Sequence, residues 1–174
     1  MNLYVPKQFA DSIRTVRRNT IRIADEIHED DYLYRPTVQC RSVAEILIHI
    51  AFFSNLDYLF HEEEHLTTLE AFDFGQFLRD SESQEKRLHT KSKLIELLRD
   101  SGESWAEWVE FLPEPFLAKE VAQRDGTSNT RLEMILGTKE HEIHHRGQLT
   151  AIERMLGVVP PPHASQAGRR TFRN

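Results

Sequence analysis

The histidines carry the first chemical signal in this sequence, which has 9 of them among 174 residues. His141 and His145 are four residues apart, so on a helix their side chains share one face, with Cβ atoms about 6 Å apart. A helix uses this spacing to present two imidazoles to one metal ion. His144 lies three residues after His141, so spacing alone does not decide which of the two completes the pair.

His49 is a third candidate because it stands where an apolar residue is expected. It shares a helical stripe with Ile46, Phe53, Leu56 and Phe60. A single histidine on such a stripe is more often a hydrogen-bonded core residue than a ligand. Beside a His-x-x-x-His pair on another helix of a bundle, it also fits the third ligand position of a metal site.

Two other types of metal site share this spacing. His141 to His145 literally fits the His-Glu-x-x-His pattern of zinc metalloproteases. That type needs a third ligand and a substrate cleft beside a sheet edge, which a chain with almost no alternating pattern does not offer. The Glu-x-x-His spacing of di-iron carboxylate bundles occurs at Glu62–His65 and Glu142–His145. The first predicted helix has no carboxylate in the middle of its inward stripe, which argues against a di-iron site.

The other histidines are expected on the surface. His61 and His65 flank the acidic run Glu62–Glu64, which predicts a solvated helix end. Three more lie in polar segments: His28, His89 and His163. None of these five is therefore predicted to bind a metal ion.

Composition describes a folded, acidic domain rather than a secreted, membrane or nucleic-acid-binding protein. Apolar residues make up 39% of the chain and the formal net charge is −6, which argues against the basic face that nucleic acids require. The single cysteine, Cys40, excludes an intramolecular disulfide and a cysteine-rich zinc site. The apolar run Val43–Phe53 is shorter than the roughly 20 residues of a membrane span, and the N-terminus lacks an apolar signal core. We therefore expect a cytoplasmic protein with no nucleic-acid or membrane partner.

Apolar periodicity predicts that four long helices position these residues. Capping boxes at Ser42–Glu45 and Thr130–Glu133 mark the starts of the second and fourth helices. Long connections follow the second and third helices, at residues 61–80 and 116–129. The predicted fold is an all-α four-helix bundle over residues 1–160, with a flexible tail over residues 161–174. The helices run from about Pro6 to Ile27, from Ser42 to about Phe60, from about Ser83 to Leu112 and from Thr130 to Gly157.

Two motifs make the chain similar to the DinB/YfiT superfamily of bacterial four-helix-bundle metalloproteins. They are R-S-V-A-E-I-L-I-H-I-A in the second helix and the more specific H-E-I-H-H-R-G-Q-L in the last. The resemblance covers about residues 5 to 160. It implies a divalent metal, commonly nickel or zinc, held by His49, His141 and His145. His144 then points about 100° away from His145 and serves packing or hydrogen bonding.

The second motif contains three further matching residues. Gly147 is expected to allow a close approach of helices, and Arg146 and Gln148 are expected to brace neighbouring helices. Glu142, next to a ligand, is expected to orient that ligand or to act as a general base. Cys40 precedes the second helix and is expected to be an ordinary reduced cysteine rather than a ligand.

A site of three neutral histidines leaves a coordination position open, and water bound there becomes acidic, with a pKa of about 7 in comparable zinc sites. The superfamily that this chain resembles includes thiol-dependent transferases and isomerases that use bacillithiol or mycothiol. The resemblance therefore implies a metal-dependent thiol transferase or hydrolase with a small-molecule substrate, and an Arg or Lys near His49 would favour this function. The alternative is a non-catalytic metal-binding or stress-response homodimeric bundle. Helix bundles of the superfamily that this chain resembles often dimerise, so the resemblance implies a homodimer in either case. The aromatic residues expected at a dimer interface are Trp105, Trp108 and Phe111, although core packing explains Trp105 equally well.

Overall fold

The computed structural model describes residues 6–85 and 90–158. Between the helices Glu114–Leu117 and Arg131–Met155, the strands Glu120–Ala122 and Ser128–Thr130 form an antiparallel hairpin. A 3₁₀ turn covers Glu29–Asp31 and a π-helical turn covers Leu59–Glu63. The named elements are α1 (Pro6–Glu26), α2 (Val43–Phe53), α3 (Asn55–Tyr58), α4 (Phe74–Glu85), α5 (Lys91–Glu110), α6 (Glu114–Leu117), β1 (Glu120–Ala122), β2 (Ser128–Thr130) and α7 (Arg131–Met155).

Four helical segments form the bundle that the sequence predicts. α1 packs against α5 and α7, and α2 packs against the same two helices and against α4. The main core lies between them and is built from fully buried side chains such as Leu47, Leu94, Leu98 and Leu149. Burial of these apolar stripes is the main force that holds the helices together. The prediction of an all-α four-helix bundle with long second and third connections is confirmed. The predicted tail, residues 161–174, lies outside the described residues.

The second helix is predicted to be continuous from Ser42 to about Phe60, and this prediction is wrong. α2 ends at Phe53, and after Ser54 the chain continues as α3 and then as the π-helical turn up to Glu63. The Ser54 hydroxyl donates to the carbonyl of Ala51 at 2.9 Å, an interaction that competes with the regular helical hydrogen bonds and often bends a helix. The π-helical turn changes which side chains after Tyr58 face the bundle.

The third predicted helix is wrong at its start. Ser83 belongs to α4, and the bundle helix α5 begins at Lys91. The long connection therefore contains a helix of 12 residues. The crossover before α7 contains the β1–β2 hairpin, which the sequence does not predict because strands of 3 residues carry too short an alternating pattern. Its turn contains Gly126, whose φ of 83° suits glycine.

The segment Val43–Glu63 is long and apolar enough, by length and composition alone, to cross a membrane. The expectation of no such segment was based on the shorter run Val43–Phe53. In the folded chain, 67% of the most apolar part of this segment is buried inside the protein. Its burial is that of a central helix in a bundle.

Candidate metal centre

The two helices that carry the predicted ligands, α2 and α7, begin at the two predicted capping boxes. Ser42 accepts from the backbone N–H of Glu45, whose side chain in turn accepts from the backbone N–H of Ser42. Thr130 and Glu133 make the same reciprocal pair at the start of α7. These caps satisfy N–H groups that a helix start leaves without partners, and they fix where each helix begins. α2 and α7 pack directly against each other, which brings their histidines to one point.

His49, His141 and His145 form a tight cluster between α2 and α7. Nε2 of His141 lies 3.1 Å from Nε2 of His49 and 3.1 Å from Nε2 of His145. The candidate ligand atoms of all three residues lie within 4.8 Å of one another. Three nitrogens at zinc–nitrogen distances of 2.0–2.1 Å in a tetrahedral site would be about 3.3 Å apart. The donor set and its spacing therefore fit a divalent metal ion.

Burial keeps these imidazoles neutral. The pKa of His49 is lowered to about 3 by burial, with further lowering from Arg41 and the neighbouring histidines. Burial also lowers the pKa of His141 to about 3 and lowers that of His145. A metal ion binds the lone pair of a neutral imidazole. At neutral pH the cluster therefore offers its lone pairs without first losing protons.

Neighbouring side chains hold two of the rings in place. His145 donates through Nδ1 to Oε1 of Gln148 at 2.8 Å, which leaves the lone pair of Nε2 facing the cluster. The amide nitrogen of Gln148 donates to Nε2 of His144 at 3.1 Å. Phe53 stacks on His141, with ring centroids 3.6 Å apart and planes at 16°. Gln148 thus orients His145, a candidate ligand, whereas the sequence predicts that it braces a neighbouring helix.

His144 and Gly147 lie outside the cluster. His144 is exposed, and of the two spacings open in the sequence, the four-residue pair His141 and His145 is the one that converges with His49. A Cβ added at Gly147 would meet no atom within 4 Å. The prediction that Gly147 allows a close approach of helices is therefore wrong.

Glu142 is buried, and its hydrogen bonds go to α1. Arg17 donates through Nε to both carboxylate oxygens at 3.1 Å, and the Thr20 hydroxyl donates to one of them at 2.7 Å. The sequence predicts that Glu142 orients a ligand or acts as a general base. The adjacent ring atom His141 Nδ1 is buried with no hydrogen-bond partner among the described residues. This placement makes Glu142 a link between α1 and α7.

A cavity of about 330 Å³ opens beside His145. Arg41 and Cys40 line it together with Gln148 and the apolar side chains of Ile46, Ile152 and Met155. Arg41 is the first residue of the second-helix motif, and its charge acts on all three clustered histidines. The sequence predicts neither this cavity nor the place of Arg41 in it, since both depend on how the loop before α2 packs on α7.

One expectation about surface residues is wrong. His61 is fully buried rather than solvated, because the π-helical turn that contains it directs it inward. Trp105 is buried in the core between α1 and α5, among residues such as Ile13 and Val109, which is the core-packing alternative that the sequence leaves open for it. Phe111 is 83% exposed. His28 and His65 are exposed as expected, and His89 and His163 lie outside the described residues. In the part of the chain that the structure describes, Glu62 and His65 belong to no cluster of candidate metal ligands.

Comparisons with known proteins show which family and which proteins this chain is similar to. The model of the DinB family matches residues 1–168. The uncharacterized protein YjoA of Bacillus subtilis (strain 168) is 26% identical over 155 residues, which covers 86% of this chain and 90% of the relative. The crystal structure of that DinB-like protein superposes with a TM-score of 0.67 at 24% identity, covering 89% of this chain and 95% of the other.

A second solved structure has the same fold. YfiT from Bacillus subtilis is described as a probable metal-dependent hydrolase with an unusual four-helix bundle topology. It matches with a TM-score of 0.64 at 15% identity, covering 91% of this chain and 93% of the other. At these identities, the two superpositions show a common fold.

Proposed function

The chain belongs to the DinB family, and from this membership we propose that it is a metal-dependent enzyme, a hydrolase or thiol transferase, that acts on a small molecule. The observation that carries the proposal is the convergence of three neutral imidazole nitrogens beside a cavity of about 330 Å³. The description of YfiT as a probable metal-dependent hydrolase supports the same class of activity. The family resemblance inferred from the sequence motifs is confirmed by the family match.

We propose that His49, His141 and His145 hold a divalent metal, zinc or nickel, through their Nε2 atoms. Both ions accept imidazole ligands readily. When bound with an open position, such an ion supplies Lewis acidity to an oxygen or sulfur atom of a ligand. Gln148 holds the proton of His145 on Nδ1, and Phe53 covers one face of His141. These two residues keep the rings oriented and exclude water from part of the cluster.

We propose that Arg41 recognises an anionic group of the substrate. Arg41 lines the cavity beside His145, and the other walls include Ile46, Ile152 and Met155. A guanidinium binds carboxylates with two parallel hydrogen bonds, and the apolar walls accept a hydrocarbon body. A thiol that carries carboxylates, or a small ester or amide that also carries a carboxylate, has this chemistry. The protein's proposed place of action is the cytoplasm.

The first experiment measures metal content by elemental analysis after loading with Zn²⁺ or Ni²⁺. We expect about one equivalent in the wild-type protein and in His144→Ala, whose side chain lies outside the cluster, and loss of metal in His49→Ala and His145→Ala. Wild-type protein that takes up no metal would overturn the proposal. Equal loss in His144→Ala would show that the variants lose metal for a reason other than ligation.

The second experiment tests turnover with the loaded protein. It follows hydrolysis of small carboxylate-bearing esters, and transfer of a thiol to an electrophile, with His145→Ala as the inactive control. Metal-dependent turnover of either kind supports the enzyme. Metal binding without turnover in either assay would favour the alternative, a non-catalytic metal-binding homodimer.

A further inference from the structure

Two cavities lie side by side along α5 and share Ser104 and Trp108. The first has a volume of about 450 Å³ and includes Tyr58, Glu63 and Trp105 in its walls. The second, of about 540 Å³, includes Glu107 in its wall. Together they form a continuous depression, named here the Trp108 groove. Its lining residues are different from those of the cavity beside His145.

The walls of the Trp108 groove combine aromatic rings with acidic side chains. Among the described residues that line it, the charged ones are Glu62, Glu63 and Glu107, and all three are exposed. The groove therefore has a negative rim over an apolar floor. Its aromatic lining residues are Tyr58, Phe77, Trp105, Trp108, Phe111 and Phe116.

Three contacts fix the indole of Trp108. Its Nε1 donates to a carboxylate oxygen of Glu62 at 3.3 Å. The ring of the buried His61 lies parallel to it, with centroids 6.3 Å apart and planes at 5°. Tyr58 meets it edge to face at 5.8 Å. A ring held in this way loses little conformational entropy when a ligand packs on it.

The two ends of the groove differ in charge. At the Phe116 end, Arg131 already lies over the Phe116 ring at 4.2 Å and Lys119 lies 6.0 Å from its centroid. At the Tyr58 end, Glu63 is the charged lining residue. A cation is therefore favoured at Trp108, between Glu63 of the first cavity and Glu107 of the second, rather than at the ring of Phe116.

We propose that the Trp108 groove binds a small organic cation with an apolar body, such as an alkylammonium or arylammonium ion. The face of a tryptophan attracts a cation better than that of any other side chain. The cavity volume lies within the range of small-molecule sites, roughly 300–1,000 Å³. The carboxylates exclude anions and add an attraction that salt weakens.

The test uses the fluorescence of the 2 tryptophans in the chain, both of which line the groove. Benzyltrimethylammonium chloride is titrated into the full-length protein, with benzyl alcohol and sodium benzoate as the neutral and anionic probes. We expect saturable quenching by the cation, binding of the alcohol that is at least about 5-fold weaker because it lacks the cation–π attraction, and no binding of benzoate. Quenching that is not saturable, or equal binding of the alcohol, would overturn the proposal.

Charge variants test the location. Glu63→Gln combined with Glu107→Gln, which leaves Glu62 as the remaining carboxylate of the groove, is expected to weaken binding of the cation by about 3-fold to 10-fold and to reduce its salt dependence. Glu96→Gln makes the same change at an exposed position of α5 outside the groove and is expected to bind as the wild type does. Equal binding by the double variant and the wild type would place the cation elsewhere. Trp108→Leu, with its fold checked by circular dichroism, is expected to abolish quenching of the remaining Trp105.

Binding at the groove is expected to be the same in metal-loaded protein and in protein treated with a chelator. Failure of the metal experiments therefore leaves this inference standing, and failure here leaves the metal proposal standing. If the protein forms a homodimer through Trp108 and Phe111, the affinity for the cation would fall as the protein concentration rises. That outcome would assign the groove to a second copy of the chain and overturn the proposal.

Discussion

Arg17 on α1 donates to both carboxylate oxygens of Glu142 on α7, at 3.1 Å, in the interior of the bundle. Both side chains are almost fully buried, with 4% and 3% of their surfaces exposed. Arg17 also donates to the carbonyl of Leu98 and to the hydroxyl of Ser101 on α5. One ion pair thus ties together three of the four bundle helices, one residue away from the candidate ligand His141.

Removing one partner of this pair is expected to cost much of the protein's stability. Glu142→Gln and Arg17→Met each leave one buried charge without the opposite charge that compensates it, and such changes cost about 3–5 kcal/mol. The double variant Arg17→Met with Glu142→Leu is expected to recover a large part of that loss, because apolar replacement of both partners is often neutral. Unfolding in urea measures each free energy. Single variants as stable as the wild type would contradict the role of the pair.

The same variant separates two roles of Glu142. Because its hydrogen bonds go to α1, folded Glu142→Gln is expected to bind as much metal as the wild type. A loss of metal at a temperature where circular dichroism shows a folded protein would restore Glu142 as a residue that orients a ligand.

Gly102 is required by the close approach of α1 and α5. A Cβ at this position would lie 2.5 Å from Cγ of Arg17 and 2.9 Å from its Nη1. Gly102→Ala is therefore expected to destabilise the protein by about 1–3 kcal/mol through overpacking, despite the better helix propensity of alanine. Gly137→Ala is the matched control in α7, where a Cβ meets no atom within 4 Å, and it is expected to stabilise by about 0.5–1 kcal/mol. Equal effects of the two changes in thermal unfolding would contradict this explanation.

The sequence predicts the residues whose positions depend on one helix or one helix pair. The two capping boxes fix the starts of α2 and α7, and the position of His49 on an apolar stripe predicts that its side chain is buried, as the structure shows. His61 shows where this reasoning fails. The acidic run Glu62–Glu64 predicts a solvated helix end, but the π-helical turn changes the phase of the helix, and no local residue pattern specifies that change.

The helical apolar pattern also does not predict the positions of residues that depend on how loops pack. Arg41 lines the cavity beside His145 because the connection before α2 folds back over α7, and sequence spacing carries no information on that packing. Glu142 has the spacing of a residue that assists a ligand, yet its partner is Arg17, 125 residues away. A helical pattern gives the direction of a side chain but not the group that it meets.

Gln148 is expected to tune the affinity of the cluster for metal. Its Oε1 accepts the Nδ1 proton of His145 at 2.8 Å, which sets the tautomer of that ligand. Gln148→Ala is expected to weaken metal binding by about 10-fold to 100-fold, and Gln148→Glu, which keeps an acceptor, by much less. Competition with a chromophoric chelator measures the dissociation constant. Equal affinities of the alanine variant and the wild type would show that His145 is oriented by other contacts.

Arg41 is expected to act on substrate binding rather than on metal binding. For an active carboxylate-bearing substrate, Arg41→Met is expected to raise KM by about 10-fold or more, because a charge-assisted hydrogen bond contributes about 1.5–3 kcal/mol, while metal content stays unchanged. Arg41→Lys keeps the charge but loses the two parallel hydrogen bonds, so its KM is expected to lie between that of the wild type and that of Arg41→Met. The control is a matched substrate in which an uncharged alcohol or amide replaces the carboxylate. An equal rise in the KM of this substrate in Arg41→Met would contradict recognition of an anion by Arg41.

Asp57 is expected to make the folded protein less stable as the pH rises above neutrality. Its carboxyl group is fully buried, accepts from Trp105 Nε1 at 3.0 Å and from the Thr138 hydroxyl at 2.8 Å, and burial raises its pKa from 3.8 to about 8. Between these two values the folded protein holds a proton that the unfolded chain has lost. Stability therefore falls with increasing pH, by at most about 1.4 kcal/mol per pH unit, and the loss is complete above the folded pKa.

The window for this measurement is pH 6.5 to 8.5. Below pH 6.5, the buried histidines make stability rise with increasing pH. Burial lowers the pKa of His61 to about 4, so up to about pH 6.5 the unfolded chain binds more protons than the folded protein does. Glu153, whose pKa burial raises to about 7, contributes in the same direction as Asp57 in the lower half of the window. Urea unfolding of chelator-treated protein is therefore compared for the wild type, Asp57→Asn and Glu153→Gln. Asp57→Asn is expected to remove the decline above pH 7.5, and a decline that persists there in this variant would assign it to another group.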